Sequence, residues 1–292
     1  MWTSSIGIKM SEEFRLVGAV CLRQAFDPYW ISVLRKGVNR HLASLDRRQT
    51  ILGQDDRGPT LTMDNNAWSA IPEYEDFLRH SPISGMAGQL MRANEVRHLQ
   101  DTLLHSVRPN MVSTPWHQDL PYYKIDGTLC SVWIPLQDVC AEDNLAVVSG
   151  SHSWGRVFVP SDFAGESERL LRDIEALPAP FETIFNVQDS IQRREIALLS
   201  WDTCPGDCIV FDGRTLHGRI ASRPCLLTRL TFRFIADDAV FSNDAFPWSD
   251  LDLAGEDLKI GERLRGRSFP LLWTSREGLI AASPLESNYP AT

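Results

Sequence analysis

His117 and Asp119 stand two apart in Thr114-Pro115-Trp116-His117-Gln118-Asp119. Side chains of an extended segment alternate with period two, so this imidazole and this carboxylate would leave one face together. Aimed at one point, they supply two thirds of a His-His-carboxylate set. That set holds iron(II) on one face and leaves open positions opposite. The third ligand has to come from far along the chain. The candidate is His217, in Val210-Phe211-Asp212-Gly213-Arg214-Thr215-Leu216-His217-Gly218. A His-x-Asp pair carries little weight alone. With 7 His and 23 Asp in 292 residues, chance gives about half an occurrence.

The surroundings add weight. After Asp119 come Leu120-Pro121-Tyr122-Tyr123, Asp126-Gly127 and Ser131-Val132-Trp133-Ile134-Pro135-Leu136. Glu142-Asp143-Asn144 and Val147-Val148-Ser149-Gly150-Ser151-His152-Ser153-Trp154-Gly155 follow, and Pro205-Gly206-Asp207-Cys208-Ile209-Val210-Phe211 precedes His217. In this order the series resembles the phytanoyl-CoA dioxygenase-like family of iron(II)/2-oxoglutarate oxygenases. The likeness runs from about Glu12 to about Asp238 and is densest over 114–155 and 205–218. It implies a mainly β fold with flanking helices around a double-stranded β-helix (jelly-roll, cupin-like) core. It also implies mononuclear Fe(II) held by His117, Asp119 and His217, with 2-oxoglutarate as co-substrate and O2 as oxidant. The reaction it implies is oxidation of a C–H bond of a small organic molecule, hydroxylation by default, with release of succinate and CO2.

In that family an Arg eleven or twelve residues after the distal His takes the far carboxylate of 2-oxoglutarate, a task suited to the guanidinium fork. Arg229 stands twelve after His217, and Thr231, two further on, would share its face and add a hydroxyl. The sequence departs from the family pattern after Gly218, where Arg219 and Arg223 replace small polar residues, and both are alternatives for the same carboxylate. Arg233 shares the parity of Arg229. Tyr122 and Trp133 are assigned to the co-substrate or substrate pocket, with plain core packing as the alternative for each. Relatives that halogenate lack the carboxylate, so Asp119 argues against halogenation. Two other readings stay open: a jelly-roll metalloenzyme without 2-oxoglutarate, and a catalytically inactive binding protein on the same fold. The co-substrate Arg argues against the first, the intact triad against the second.

The rest of the chain has to position these groups. With 43% hydrophobic and 23% charged residues, the composition is that of a soluble globular protein. A net charge of −9 without a Lys/Arg cluster argues against a nucleic-acid or anionic-membrane partner. No apolar run approaches the roughly 18 residues of a membrane span, and Met1–Phe14 lacks the pattern of a signal peptide. The six scattered Cys read as reduced thiols. The expectation is a cytoplasmic enzyme acting on a small molecule.

One domain over 1–292 is expected, with N-terminal helices and an insertion at about 156–194. Helices are expected from Ser11, over Asp27–Ser44, Pro72–Arg79, Ile83–Ala93 and Glu166–Leu177. Strands are expected over Val17–Leu22, Val96–Ser106, Cys130–Leu136, Ala146–Ser149, Glu195–Ser200, Cys208–Phe211 and Leu226–Ile235. Gln49–Asn66, polar and with Gly53, Gly58 and Pro59, reads as a loop. The tail beyond Asp238 is expected to wrap the core or to join a homo-oligomer contact.

Overall fold

Asp27 shows how the sequence sets the first long helix. Its carboxylate accepts the Trp30 N–H at 3.1 Å, and Pro28 occupies the first helical position, where its missing N–H costs nothing. The computed structural model describes residues 6–44, 49–161, 180–242 and 258–279. Its first elements are α1 (Ile8–Val17), β1 (Ala19–Leu22), α2 (Pro28–Ala43), β2 (Thr50–Asp55), β3 (Gly58–Asn65), α3 (Pro72–His80), α4 (Ile83–Met91) and β4 (Glu95–Ser106). Then come β5 (Thr114–His117), β6 (Ile125–Asp126), β7 (Leu129–Pro135), β8 (Ala146–Val148), β9 (Val157–Phe158), β10 (Phe181–Glu182) and α5 (Phe185–Gln192). The remainder are β11 (Leu198–Leu199), β12 (Cys208–Asp212), β13 (His217–Arg219), β14 (Thr228–Ala236), β15 (Val240–Phe241), β16 (Leu271–Thr274) and β17 (Gly278–Leu279).

Nine strands form the larger sheet, with the order β1-β12-β7-β14-β4-β16-β17 and with β3 on β4 and β2 on β3. The free edge of the long strand β4 is shared, β16 taking residues 95–97 and β3 residues 102–106. A smaller sheet runs β11-β8-β13-β5. Alternation along the strands divides the core in two. Cys130, Val132, Ile134, Leu230, Phe232 and Phe234 face the helices and pack with Leu34, Val38, Tyr74, Phe77 and Met86. Trp133, Ile209 and Phe211 face the smaller sheet and pack with Leu145 and Val147. Each such side chain contributes about 1.5–3 kcal/mol on burial. Mainly β, with helices against one face of a large antiparallel sheet, is the expected jelly-roll class.

Several local expectations change. Gln49–Asn66 is a β2–β3 hairpin, closed by the Asp55 carboxylate accepting the Arg57 N–H at 2.8 Å. Its first strand is exposed or half-buried along its length, so it has no apolar alternation to read. Helix α1 starts at Ile8 rather than Ser11, from Gly7, which has no capping side chain. It runs through Val17 and stops at Gly18, whose φ of 82° suits glycine. Of Glu195–Ser200 only Leu198–Leu199 pair. The described part of the tail packs on the core: β15 pairs with β6, and β16 joins the larger sheet. The helix expected at Glu166–Leu177 lies outside the described residues. Among the described residues no helix is long and apolar enough to cross a membrane.

Candidate metal centre

His117 and His217 are direct partners across the antiparallel pair β5–β13, with ring centroids 4.1 Å apart. The two strands approach closely because residue 218 is glycine. A Cβ there would lie 3.0 Å from the Trp116 ring and 3.1 Å from the Thr114 carbonyl oxygen. Asp119 reaches the same point by a different route from the one expected. Strand β5 ends at His117, and Asp119 is helical (φ −75°, ψ −41°), opening the turn Leu120–Tyr122. The chain bends rather than alternates, and Leu120 N–H donating to the Gly213 oxygen at 2.8 Å holds the bend.

The carboxylate oxygen Asp119 Oδ1 lies 3.6 Å from His117 Nε2 and 3.8 Å from His217 Nε2. All three potential ligand atoms fall within 4.8 Å of one another. Each imidazole donates from Nδ1 to a carbonyl two residues upstream: His117 to Pro115 at 2.7 Å, His217 to Thr215 at 2.9 Å. A carbonyl only accepts, so each Nδ1 carries a proton, and each Nε2 is turned to the centre. Burial would raise the Asp119 carboxyl, but Arg233, with His117 and His217, holds it well below the usual carboxylate range. Burial and the neighbouring His117 push His217 down to about 3, so it is a neutral donor at pH 7. Two imidazoles turned inward through Nε2 and one carboxylate are a donor set that fits iron(II). His217 and Asp119 are buried and His117 half-buried, so the centre opens on the His117 side.

The inner face of the larger sheet forms a floor beside this centre, in three rows. The first carries Phe211, Ser131, Arg233 and Gln100, the second Ile209, Trp133, Thr231 and Thr102, the third Pro135, Arg229 and Leu104. Phe211 packs on the His217 ring, centroids 4.3 Å apart. Trp133 and Thr231 therefore lie between the metal row and Arg229. Arg229 is buried, and among the described residues no carboxylate pairs with it; its one hydrogen bond is a 3.5 Å contact to Thr114 Oγ1. Burial and the nearby Arg219 push its guanidinium down to about 9. Arg219 has spent its donors on the carbonyls of Asp143 and Val112 and on Cys225 Sγ. Arg223 is paired with the Asp143 carboxylate at 2.7 Å. Tyr122 packs edge-on to His117, centroids 5.6 Å apart, and gives its hydroxyl to the Ser161 carbonyl.

The sequence matches the family described as Phytanoyl-CoA dioxygenase (PhyH) over residues 14–221, well over half of the chain. The chain belongs to the phytanoyl-CoA dioxygenase family. With the His-Asp-His centre, membership makes it an enzyme of the iron(II)- and 2-oxoglutarate-dependent dioxygenase class. Solved structures share the fold. The non-heme alpha ketoglutarate dependent carbocyclase SnoK from nogalamycin biosynthesis is 19% identical, with a TM-score of 0.70 over 91% of this chain and 96% of that one. The epimerase SnoN, in complex with Fe3+, alpha ketoglutarate and nogalamycin RO, is 20% identical, with a TM-score of 0.68 over 90% and 97%. EctD from S. alaskensis, with 2-oxoglutarate and 5-hydroxyectoine, is 18% identical, with a TM-score of 0.62 over 90% and 87%. A comparison with curated proteins finds no match.

Three further side chains of this dioxygenase bear on the centre. Arg233 Nε donates to Asp119 Oδ2 at 2.9 Å, and the Ser131 hydroxyl donates to the same oxygen. The signal for Arg233 was its parity with Arg229 and Thr231; Ser131 had none, because serine in a strand is unremarkable. Gln118 turns away from the ligands and works as a clamp. Its amide donates to the Arg214 carbonyl at 2.8 Å and the Arg156 carbonyl at 3.1 Å, and its oxygen accepts the Phe158 N–H at 3.0 Å. It thereby ties the first two ligands to the turn before the third. His98, His105, His41, His80 and His152 stand apart from the cluster.

Proposed function

We propose that the chain is a single-domain oxygenase, over 1–292, that oxidises an unactivated C–H bond of a small organic molecule, by default to an alcohol. The observation that carries the reading is the convergence of His117, Asp119 and His217 on one point, with both Nε2 atoms turned inward. When bound, iron(II) with 2-oxoglutarate and O2 supplies the oxidising power, and succinate and CO2 leave. The protein's own groups do the rest. His117, Asp119 and His217 hold the ion on one face. Arg229 takes the far carboxylate of 2-oxoglutarate by a two-pronged ion pair, replacing the counter-ion its burial otherwise denies it. Thr231 and Trp133, in the row between, bound the co-substrate's length. Tyr122 covers the His117 edge and limits water at the reacting centre.

Arg229 also separates this reading from a jelly-roll enzyme without 2-oxoglutarate. A buried guanidinium with no carboxylate is costly unless an anionic ligand completes it. SnoN is bound to nogalamycin RO and EctD to 5-hydroxyectoine, and we take the substrate of this chain to be a small organic molecule as well. Six unpaired cysteines suit a reducing compartment, so the cytoplasm is the proposed location. The test is a panel of small organic molecules incubated with iron(II), 2-oxoglutarate and O2. Substrate-stimulated succinate release that is lost in Asp119→Ala supports the proposal. Succinate release undiminished in that variant rejects it.

A further inference from the structure

Arg233 has no part in the reading above, yet it makes more polar contacts with the metal ligands than any other described side chain. Its fork meets Asp119 twice, Nε to Oδ2 at 2.9 Å and Nη2 to Oδ1 at 3.2 Å. Asp119 is buried and Arg233 largely shielded, its side chain 12% exposed, so water weakens the pair less than it would at a surface. Ser131, the cross-strand partner of Arg233, donates its hydroxyl to Oδ2 as well. Oδ2 thus accepts from two fixed donors, while Oδ1 is the oxygen that faces both imidazoles. The far side of the guanidinium is fixed too. Nη1 donates to Thr102 Oγ1 at 2.8 Å and lies 3.4 Å from Gln100 Oε1, and Gln100 Oε1 also accepts the Tyr123 hydroxyl. Three strands, β4, β14 and β7, therefore hold one carboxylate in one orientation.

We infer that Arg233, with Ser131, is a positioning residue that fixes Asp119 so that Oδ1 alone is offered to the divalent ion. The inference rests on the metal reading of the triad. A carboxylate free to turn can grip a cation through both oxygens, and the second oxygen would then take a place needed by co-substrate or O2. A facial three-ligand centre needs its open positions kept open. Arg233 serves that need by occupying Oδ2, and a Lys at this position, a point charge without a fork, could not do so in the same way.

The test uses cobalt(II) titrated into the metal-free wild type and Arg233→Met, Arg233→Lys and Ser131→Ala, with the visible absorption of the bound ion recorded. Removing a partner that orients a ligand weakens binding by about ten- to a hundredfold. Arg233→Met should therefore lose cobalt affinity by that factor and show an altered visible band. Arg233→Lys should fall between Arg233→Met and the wild type and keep the altered band. A merely structural Arg233 would lower the melting temperature and leave both cobalt readouts unmoved, and that outcome overturns the inference. Should Arg233→Met not fold, Ser131→Ala decides: weaker cobalt binding with a shifted band supports the inference, and unchanged binding and band overturn it. A wild type that takes up no cobalt removes the metal reading and this inference together.

Discussion

Replacing Arg229 by Met should move two observables in opposite directions. Met keeps much of the length and apolar stem of Arg while removing the charge. In the ligand-free protein Arg229 is a buried cation beside Arg219, with no carboxylate among the described residues against it. Burial first, and Arg219 second, push it down from 12.5 to about 9. At about 1.4 kcal/mol per pH unit, that corresponds to roughly 5 kcal/mol held against the charged state at neutral pH. Repacking around Met takes back part of this, typically about 1–3 kcal/mol. The ligand-free variant should accordingly be more stable than the wild type by about 2–4 kcal/mol, read as a higher urea midpoint. The response to 2-oxoglutarate should fall at the same time. With 2-oxoglutarate at a hundred times its Kd, the metal-loaded wild type gains about 2.7 kcal/mol. Losing one partner of a buried charge pair costs about 2–5 kcal/mol, so the variant's Kd should rise between about thirtyfold and a few thousandfold. At the same ligand concentration most of the 2.7 kcal/mol disappears. Paired urea melts with and without 2-oxoglutarate read both effects. A ligand-free variant that is less stable than the wild type, together with an unchanged 2-oxoglutarate response, would refute the reasoning and return attention to Arg219 and Arg223.

Two other outcomes can be checked on the metal-free protein. His217 is held at about 3 against an ordinary 6.5. Its folded value is depressed, so the unfolded chain binds more protons between those limits. Its contribution is complete above about pH 6.5 and is lost as pH falls toward 3, by up to about 1.4 kcal/mol per pH unit. Acid-side melts of His217→Gln should be correspondingly flatter than those of the wild type; equal slopes would count against a buried neutral His217. Gln118→Leu strands the Arg156 and Arg214 carbonyls and the Phe158 N–H, and should lower stability by about 2–4 kcal/mol while weakening cobalt binding through the displaced turn before His217. Undiminished stability would show that these contacts have no net worth.

The ligands were legible because their chemistry is rare and their surroundings were ordered. The geometry that unites them was not. Strand alternation gave the correct pairing of His117 with Asp119 for the wrong reason, since Asp119 stands in a helical turn and not on the strand. The direct opposition of His117 and His217 across β5–β13 is a fact of register between segments a hundred residues apart, which local pattern does not encode. A buried strand such as Leu129–Pro135 is legible because an apolar run bounded by turn residues is a strong signal. The β2–β3 hairpin was lost because its outer strand buries nothing on either face. Arg229 could be chosen by spacing, but only the fold shows that Arg219 donates to the Asp143 and Val112 carbonyls and that Arg223 pairs with the Asp143 carboxylate. Arg233 was visible as parity alone, and its partner Asp119 lies more than a hundred positions away.

Anaerobic titration of iron(II) into the metal-free protein tests the shared centre most directly. The wild type should take up one ion per chain, and His217→Ala, carrying an otherwise intact His117 and Asp119, should lose tight binding of that ion. An equal stoichiometry and affinity in the two proteins would contradict the assignment of the distal histidine, and with it the centre described above.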